Sequence, residues 1–244
     1  MLLAYIGYLL IGLGPGAMVF LAGPAQKSFL VILTIASACV WLVSLMIVAV
    51  LVRGFLPLPS EFAYYAGPLL LGVIVQEMFR VGLWHVFKLG TTRLEVIAQR
   101  MGCAQLSDVD YMSMALAAGM GHGLAHSMFF FFGLAALSLG PATFYVDKCP
   151  NMSLFLYTAL ASGAMLMLHT FSMVISFDGH SKNNFLRQLL PPLAHTTAAG
   201  LTLLNLMDGG CAYVLPALYI CTGVVFLFAA NIFLEVTKAA AQRP

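Results

Sequence analysis

The feature that most constrains this chain is the spacing of its charges. Apolar runs of twenty residues or more succeed one another, with almost nothing ionisable between their ends. A helix crossing the hydrocarbon layer needs about 20 mostly apolar residues, because that layer is about 30 Å thick and each residue rises about 1.5 Å. On that ruler, spans fall near 2–22, 28–52, 62–87, 109–138, 153–177, 184–206 and 211–236. The breaks carry turn formers: Gly23-Pro24, Pro57-Leu58-Pro59-Ser60, Gly140-Pro141, Lys148-Cys149-Pro150-Asn151 and Asp208-Gly209-Gly210. Only 8% of the 244 residues are charged and 61% are hydrophobic, whereas a soluble domain carries about 25% charged residues. The reading is an all-α integral membrane protein, a seven-transmembrane helix bundle. It forms one membrane domain over residues 1–244 with no soluble domain, and its solvent is largely membrane lipid. The stretch 88–108 is expected to be the only polar connection of any size.

The first apolar run ends at Ala22-Gly23-Pro24-Ala25, small residues of the kind a signal peptidase accepts. It lacks a basic residue before Lys27 and is nearer twenty residues than ten, so it reads as a retained span. Loop charges set the orientation. One side receives Lys27, Lys88, Arg93, Arg100, Lys182, Arg187, Lys238 and Arg243, and the other Arg53 and Lys148. That bias predicts a lumenal or extracellular N-terminus and a cytosolic C-terminus. The net charge of +2 gives no ground for a nucleic-acid partner.

Ionisable groups among lipid tails cost several kcal/mol unless paired or turned inward. Glu77 and Arg80 lie three apart in the third span, on one face, where they can pair. A self-neutralising pair is the simpler reading, a catalytic role the alternative. In the fourth span Gly119, Gly123 and Ser127 form a row of small residues at every fourth position, which admits a neighbouring backbone. His122 and His126 flank that row. They suit hydrogen bonds across a helix contact better than a metal, since a lone His-x-x-x-His lacks the glutamate of a zincin helix. His169 in the fifth span, and His195 and Asn205 in or near the sixth, add to a polar core. Pro191 and Pro192 free carbonyls one turn back, for which His or Thr side chains are natural partners. His169 and His195 are expected to face inward and approach each other or a shared water cluster, near Glu77 and Arg80. Nothing points to a cofactor or a resident metal.

Cys149 and Cys211 both fall on the predicted lumenal side, where disulfides persist. They are either bridged or two free thiols at span ends, which their separation decides. Cys103 falls on the cytosolic side, and Cys39 and Cys221 fall within spans.

Several segments follow one another through successive spans: Gly14-Pro15, Trp41-Leu42-Val43-Ser44-Leu45, Gln76-Glu77-Met78-Phe79-Arg80, Leu168-His169-Thr170-Phe171, Phe177-Asp178, His195 and Leu201-Thr202-Leu203-Leu204-Asn205. As an ordered set, from about residue 5 to residue 230, they resemble the anterior-pharynx-defective family, the seven-span scaffold subunit of γ-secretase. The resemblance implies a non-catalytic role, with partners presenilin (which carries the aspartyl active site), nicastrin and the small presenilin enhancer subunit. It implies residence in endoplasmic reticulum, Golgi, endosomal and plasma membranes. The family's assembly glycines map onto Gly119 and Gly123, its third onto Ser127, and its two intramembrane histidines onto His169 and His195. His122 and His126 lie outside the general pattern and mark a subfamily. The same family also resembles CAAX-type intramembrane proteases, whose motifs are Glu-Glu-x-x-x-Arg, Phe-x-x-x-His and His-x-x-x-Asn. Here Gln76 stands where a second acid is wanted, Met165 where the Phe is, and Ala199 where the Asn is. That enzymatic reading is the alternative.

Overall fold

The computed structural model describes residues 2–55, 62–134, 137 and 144–242. The expected breaks at Pro57-Leu58-Pro59-Ser60 and Gly140-Pro141, and Arg243, lie outside them. Seven long helices are present among the described residues: α1 (Leu2–Ala22), α2 (Ser28–Phe55), α3 (Phe62–Arg100), α4 (Asp108–Gly133), α5 (Leu154–Ser181), α6 (Phe185–Thr202) and α7 (Cys211–Ala241). A small antiparallel hairpin, β1 (Tyr145–Val146) and β2 (Cys149–Ser153), precedes α5. A 3-10 turn, Leu203–Leu206, continues α6.

Local chemistry sets the helix ends. Ser107 accepts from the Asp110 amide and Asp110 accepts from the Ser107 amide, a reciprocal cap that opens α4. Asn184 caps α6 by accepting from the Arg187 amide at 3.2 Å.

Five of the helices, α1, α2, α3, α5 and α7, are long and apolar enough to cross a membrane on their own composition. α4 and α6, which cover the expected spans 109–138 and 184–206, are not, among the described residues. For α4 the reason is burial, and for α6 its length and polar content. α4 spends its positions on Gly, His, Ser and Ala because it is enclosed by other helices, and α6 is 18 residues carrying Arg187, Gln188, two prolines and His195. Both run the same course as their neighbours. α4 lies antiparallel along α5 from Gly119 to Ser127, and α6 runs back along α5 from Asp178 to Tyr157.

The stretch 88–108 is not a loop for most of its length. α3 continues unbroken to Arg100, and the chain turns only at Gly102, whose φ is 66°. Lys, Arg and Glu are good helix formers, so charges at 88–100 mark departure from lipid and not the end of a helix. Glu95 on this extension accepts from the Tyr111 hydroxyl of α4 at 2.5 Å.

α5 is the axis of the bundle. In its most apolar window 72% of residues are buried, against 11% for α1 and 17% for α2, which face outward. The core around it includes Leu168, Met173, Val174, Ile175, Val214, Leu218 and Val225.

Candidate assembly site

On α3, both Glu77 oxygens lie 2.5 Å from Arg80 Nη1. The three-residue spacing makes this pair local, so it needs no tertiary contact to form. Tertiary structure then seals it: Arg80 is 1% exposed. From α6, His195 Nδ1 meets Glu77 Oε1 at 2.7 Å, and from α5, His169 Nδ1 meets Arg80 Nη2 at 3.2 Å. The His169 and His195 rings are 4.8 Å apart, nearly perpendicular. One carboxylate, one guanidinium and two imidazoles from three helices thus share their hydrogen-bonding capacity where lipid offers none.

The second pair of histidines extends this cluster toward α2. His126 lies 4.8 Å from the His169 ring and 5.3 Å from Trp41, and His122 lies 6.4 Å from His169. His122 Nδ1 contacts Ser37 Oγ at 2.9 Å, and Ser37 in turn donates to the Ala118 carbonyl at 2.6 Å. Among the described residues, no three His, Cys, Asp or Glu side chains are grouped as a metal ion would require.

Around this cluster the helices approach unusually closely. A β-carbon on Gly119 would sit 2.3 Å from the Thr170 carbonyl oxygen, and one on Gly123 would sit 2.5 Å from that of Leu166. Ser127 continues the row by donating to the Ser162 carbonyl at 2.7 Å. The partner of the row is therefore α5 of the same chain. On the opposite side of α4, a β-carbon on Gly121 would come within 2.1 Å of the Thr34 carbonyl oxygen of α2. That second close face was missed, although its signal was present: two positions along a helix turn about 200°, so Gly121 had to point away from Gly119 and Gly123.

Two further expectations meet a different arrangement. Asn205 does not join the polar core; its amide contacts the Tyr157 hydroxyl at 2.5 Å and the Thr202 carbonyl at 2.9 Å, near the far end of α5. It sits in the 3-10 turn beyond α6, about three turns from His195, too far along the axis to reach the cluster. His195 turns to Glu77 and not to a carbonyl freed one turn before Pro191 and Pro192; the Thr196 hydroxyl donates at 2.8 Å to the carbonyl of Pro192 itself, which is not one of those freed.

Cys149 and Cys211 are disulfide-bonded, with α-carbons 6.3 Å apart, joining β2 to the start of α7. Lys148 and Asp208 pair beside them at 3.2 Å. At the opposite end of the bundle sits a network that sequence reading passed over. Asp178 of α5 binds Arg187 of α6 at 2.5 Å and Lys182 at 2.7 Å, while Arg187 reaches Glu235 of α7 at 2.9 Å. Lys182 lies four residues after Asp178, within local helical spacing, whereas Arg187 lies 9 residues on and Glu235 a further 48 beyond Arg187, outside any local spacing rule. A cavity of about 690 Å³ opens there, lined in part by Trp84, Phe87, Tyr111, Phe177 and Asp178.

Fold and site together define an all-α membrane bundle whose intramembrane charges are spent on one another and whose central helices touch through glycine. The chain belongs to the Aph-1 family: the sequence profile described as Aph-1 protein matches residues 3–235. It is 40% identical to the "Gamma-secretase subunit APH1-like" of Arabidopsis thaliana over 89% of this chain and 87% of that protein. It is 29% identical to the "Gamma-secretase subunit APH-1B" of Mus musculus, covering 82% of this chain and 78% of the relative. To the "Gamma-secretase subunit Aph-1" of Drosophila melanogaster it is 27% identical, covering 82% and 81%.

Proposed function

We propose that this chain is the non-catalytic scaffold subunit of a γ-secretase-type intramembrane aspartyl protease complex, holding a presenilin, a nicastrin and a small presenilin enhancer subunit. Family membership supports the place in the complex. One observation supports the non-catalytic part: Glu77, the carboxylate a protease would need as base, has both oxygens engaged by Arg80 and one also by His195. A general base must be free to take a proton from water. The CAAX-type alternative needs that freedom and a second acid where Gln76 stands. The whole chain acts as one membrane domain. The Lys and Arg distribution supports a lumenal N-terminus and a cytosolic C-terminus. Work in endoplasmic reticulum, Golgi, endosomal and plasma membranes accords with such a subunit.

The reading is tested by tagging the full chain, extracting it in mild detergent and identifying what accompanies it by mass spectrometry. A presenilin and a nicastrin should co-purify, and the isolated chain should leave membrane peptides uncut. Proteolysis by the isolated chain, or recovery without either partner, refutes it.

A further inference from the structure

Beside the polar cluster, the buried atoms Trp41 Nε1, Arg80 Nε, His122 Nε2, His126 Nδ1 and His169 Nε2 have no hydrogen-bond partner among the described residues. Their side chains are at most 8% exposed. Buried polar atoms are almost always satisfied, so a group of them at one place calls for a ligand.

Hydrogen-bond accounting fixes what that ligand must offer. The single Ser37 hydroxyl proton goes to the Ala118 carbonyl, so Ser37 can only accept from His122. Neutral His122 therefore carries its proton on Nδ1 and presents a bare lone pair at Nε2. Arginine has no acceptor, so His169 Nδ1 must be the acceptor toward Arg80, which puts the proton of neutral His169 on Nε2. Trp41 Nε1 and Arg80 Nε are donors only. The site thus mixes three donors with one acceptor, and His126 Nδ1 takes either role according to tautomer. A metal cation would face N–H groups at three positions. An anion would face the His122 lone pair. Water donates and accepts, and so fits both.

We infer that ordered water occupies the interior between α2, α4 and α5, bridging His169 Nε2–H to His122 Nε2 and accepting from Trp41 Nε1–H. The His122 and His169 ring centres, 6.4 Å apart, are too far for a direct bond but within the span of one intervening water. His126, between Trp41 and His169, closes the circuit. The subfamily histidines thereby become the far wall of a hydrated site whose near wall is the cluster built on Glu77 and Arg80. This inference stands on the chain's own side chains and is independent of the scaffold reading.

The experiment uses the full chain in lipid nanodiscs, with 15N-labelled histidine and tryptophan, and magic-angle-spinning NMR with transfer from water protons. His122 should appear as the Nδ1–H tautomer and His169 as the Nε2–H tautomer, and water magnetisation should reach His169 Nε2–H and Trp41 Nε1–H. His122→Phe should lower the transfer to His169 several-fold, and His122→Gln, which keeps an acceptor, should restore most of it. Where His122→Phe fails to fold, the wild-type tautomers and transfer decide. Silence at both N–H groups while exposed His85 responds, the opposite tautomers, or stoichiometric metal in the washed protein would each overturn the inference.

Discussion

Glu77 and Arg80 are worth little as an attraction and a great deal as a mutual obligation. Replacing a buried ion pair by apolar groups is often neutral, whereas removing one partner strands the other at a cost of about 3–5 kcal/mol. Glu77→Ala should accordingly destabilise the chain by about that amount, because Arg80, 1% exposed, is left buried without its counter-charge. Glu77→Met combined with Arg80→Met should recover much of the loss. Thermal unfolding in detergent, followed by loss of helix signal, checks both; equal damage from the single and double variants would contradict the account. At this scale the sequence is legible where partners are local. A three-residue spacing announces Glu77–Arg80, and the cost of four polar groups in lipid points His169 and His195 inward. Asn205 is different. A lone amide near a helix end has no direction written beside it, and the Tyr157 hydroxyl that claims it lies 48 residues earlier.

α4 is held on two sides by surfaces that admit no side chain. Gly121→Leu, against α2, should therefore be as damaging as Gly123→Leu, against α5, each by about 1–3 kcal/mol of overpacking or by failure to fold. Gly82→Leu on α3 meets nothing within 4 Å and should be tolerated. Yields of folded protein from parallel expression, read by size-exclusion chromatography, separate the three; a well-behaved Gly121→Leu would remove α2 from the close-packed set. The end of α3 carries another expectation. Tyr111→Phe deletes the hydroxyl that holds Glu95, so amide hydrogen exchange should quicken over 94–100 and stay unchanged over 65–87. Uniform protection across α3 in that variant would mean the tether is idle. Span positions were legible because hydropathy reports lipid directly. The end of α3 was not, since charged residues stop a membrane crossing without stopping a helix. The low hydropathy of α4 likewise reflects neighbours that a single sequence does not display.

Across the whole molecule, the disulfide closes 62 residues of chain, and a loop of that size lowers the unfolded-state entropy by about 4 kcal/mol equivalent at room temperature. Cys149→Ser should cost up to about that much, with mobility on a non-reducing gel reporting the open form. In the wild-type chain only Cys39, Cys103 and Cys221 should take up maleimide under denaturing conditions before reduction; labelling of Cys149 or Cys211 would refute the bridge. The bridge pins the hairpin before α5 to the start of α7, and at the other end of the bundle Asp178, Arg187 and Glu235 pin α5, α6 and α7 together. Rods riveted at both ends cannot slide past one another. A shift of one helical turn, about 5.4 Å, is the usual step by which packed helices change register, and here it would have to break a covalent bond and an ion network at once. Longitudinal shear between α5 and α7 is thereby denied, and the pair can move only as one body, carrying with it the start of α6 that Arg187 fastens to both.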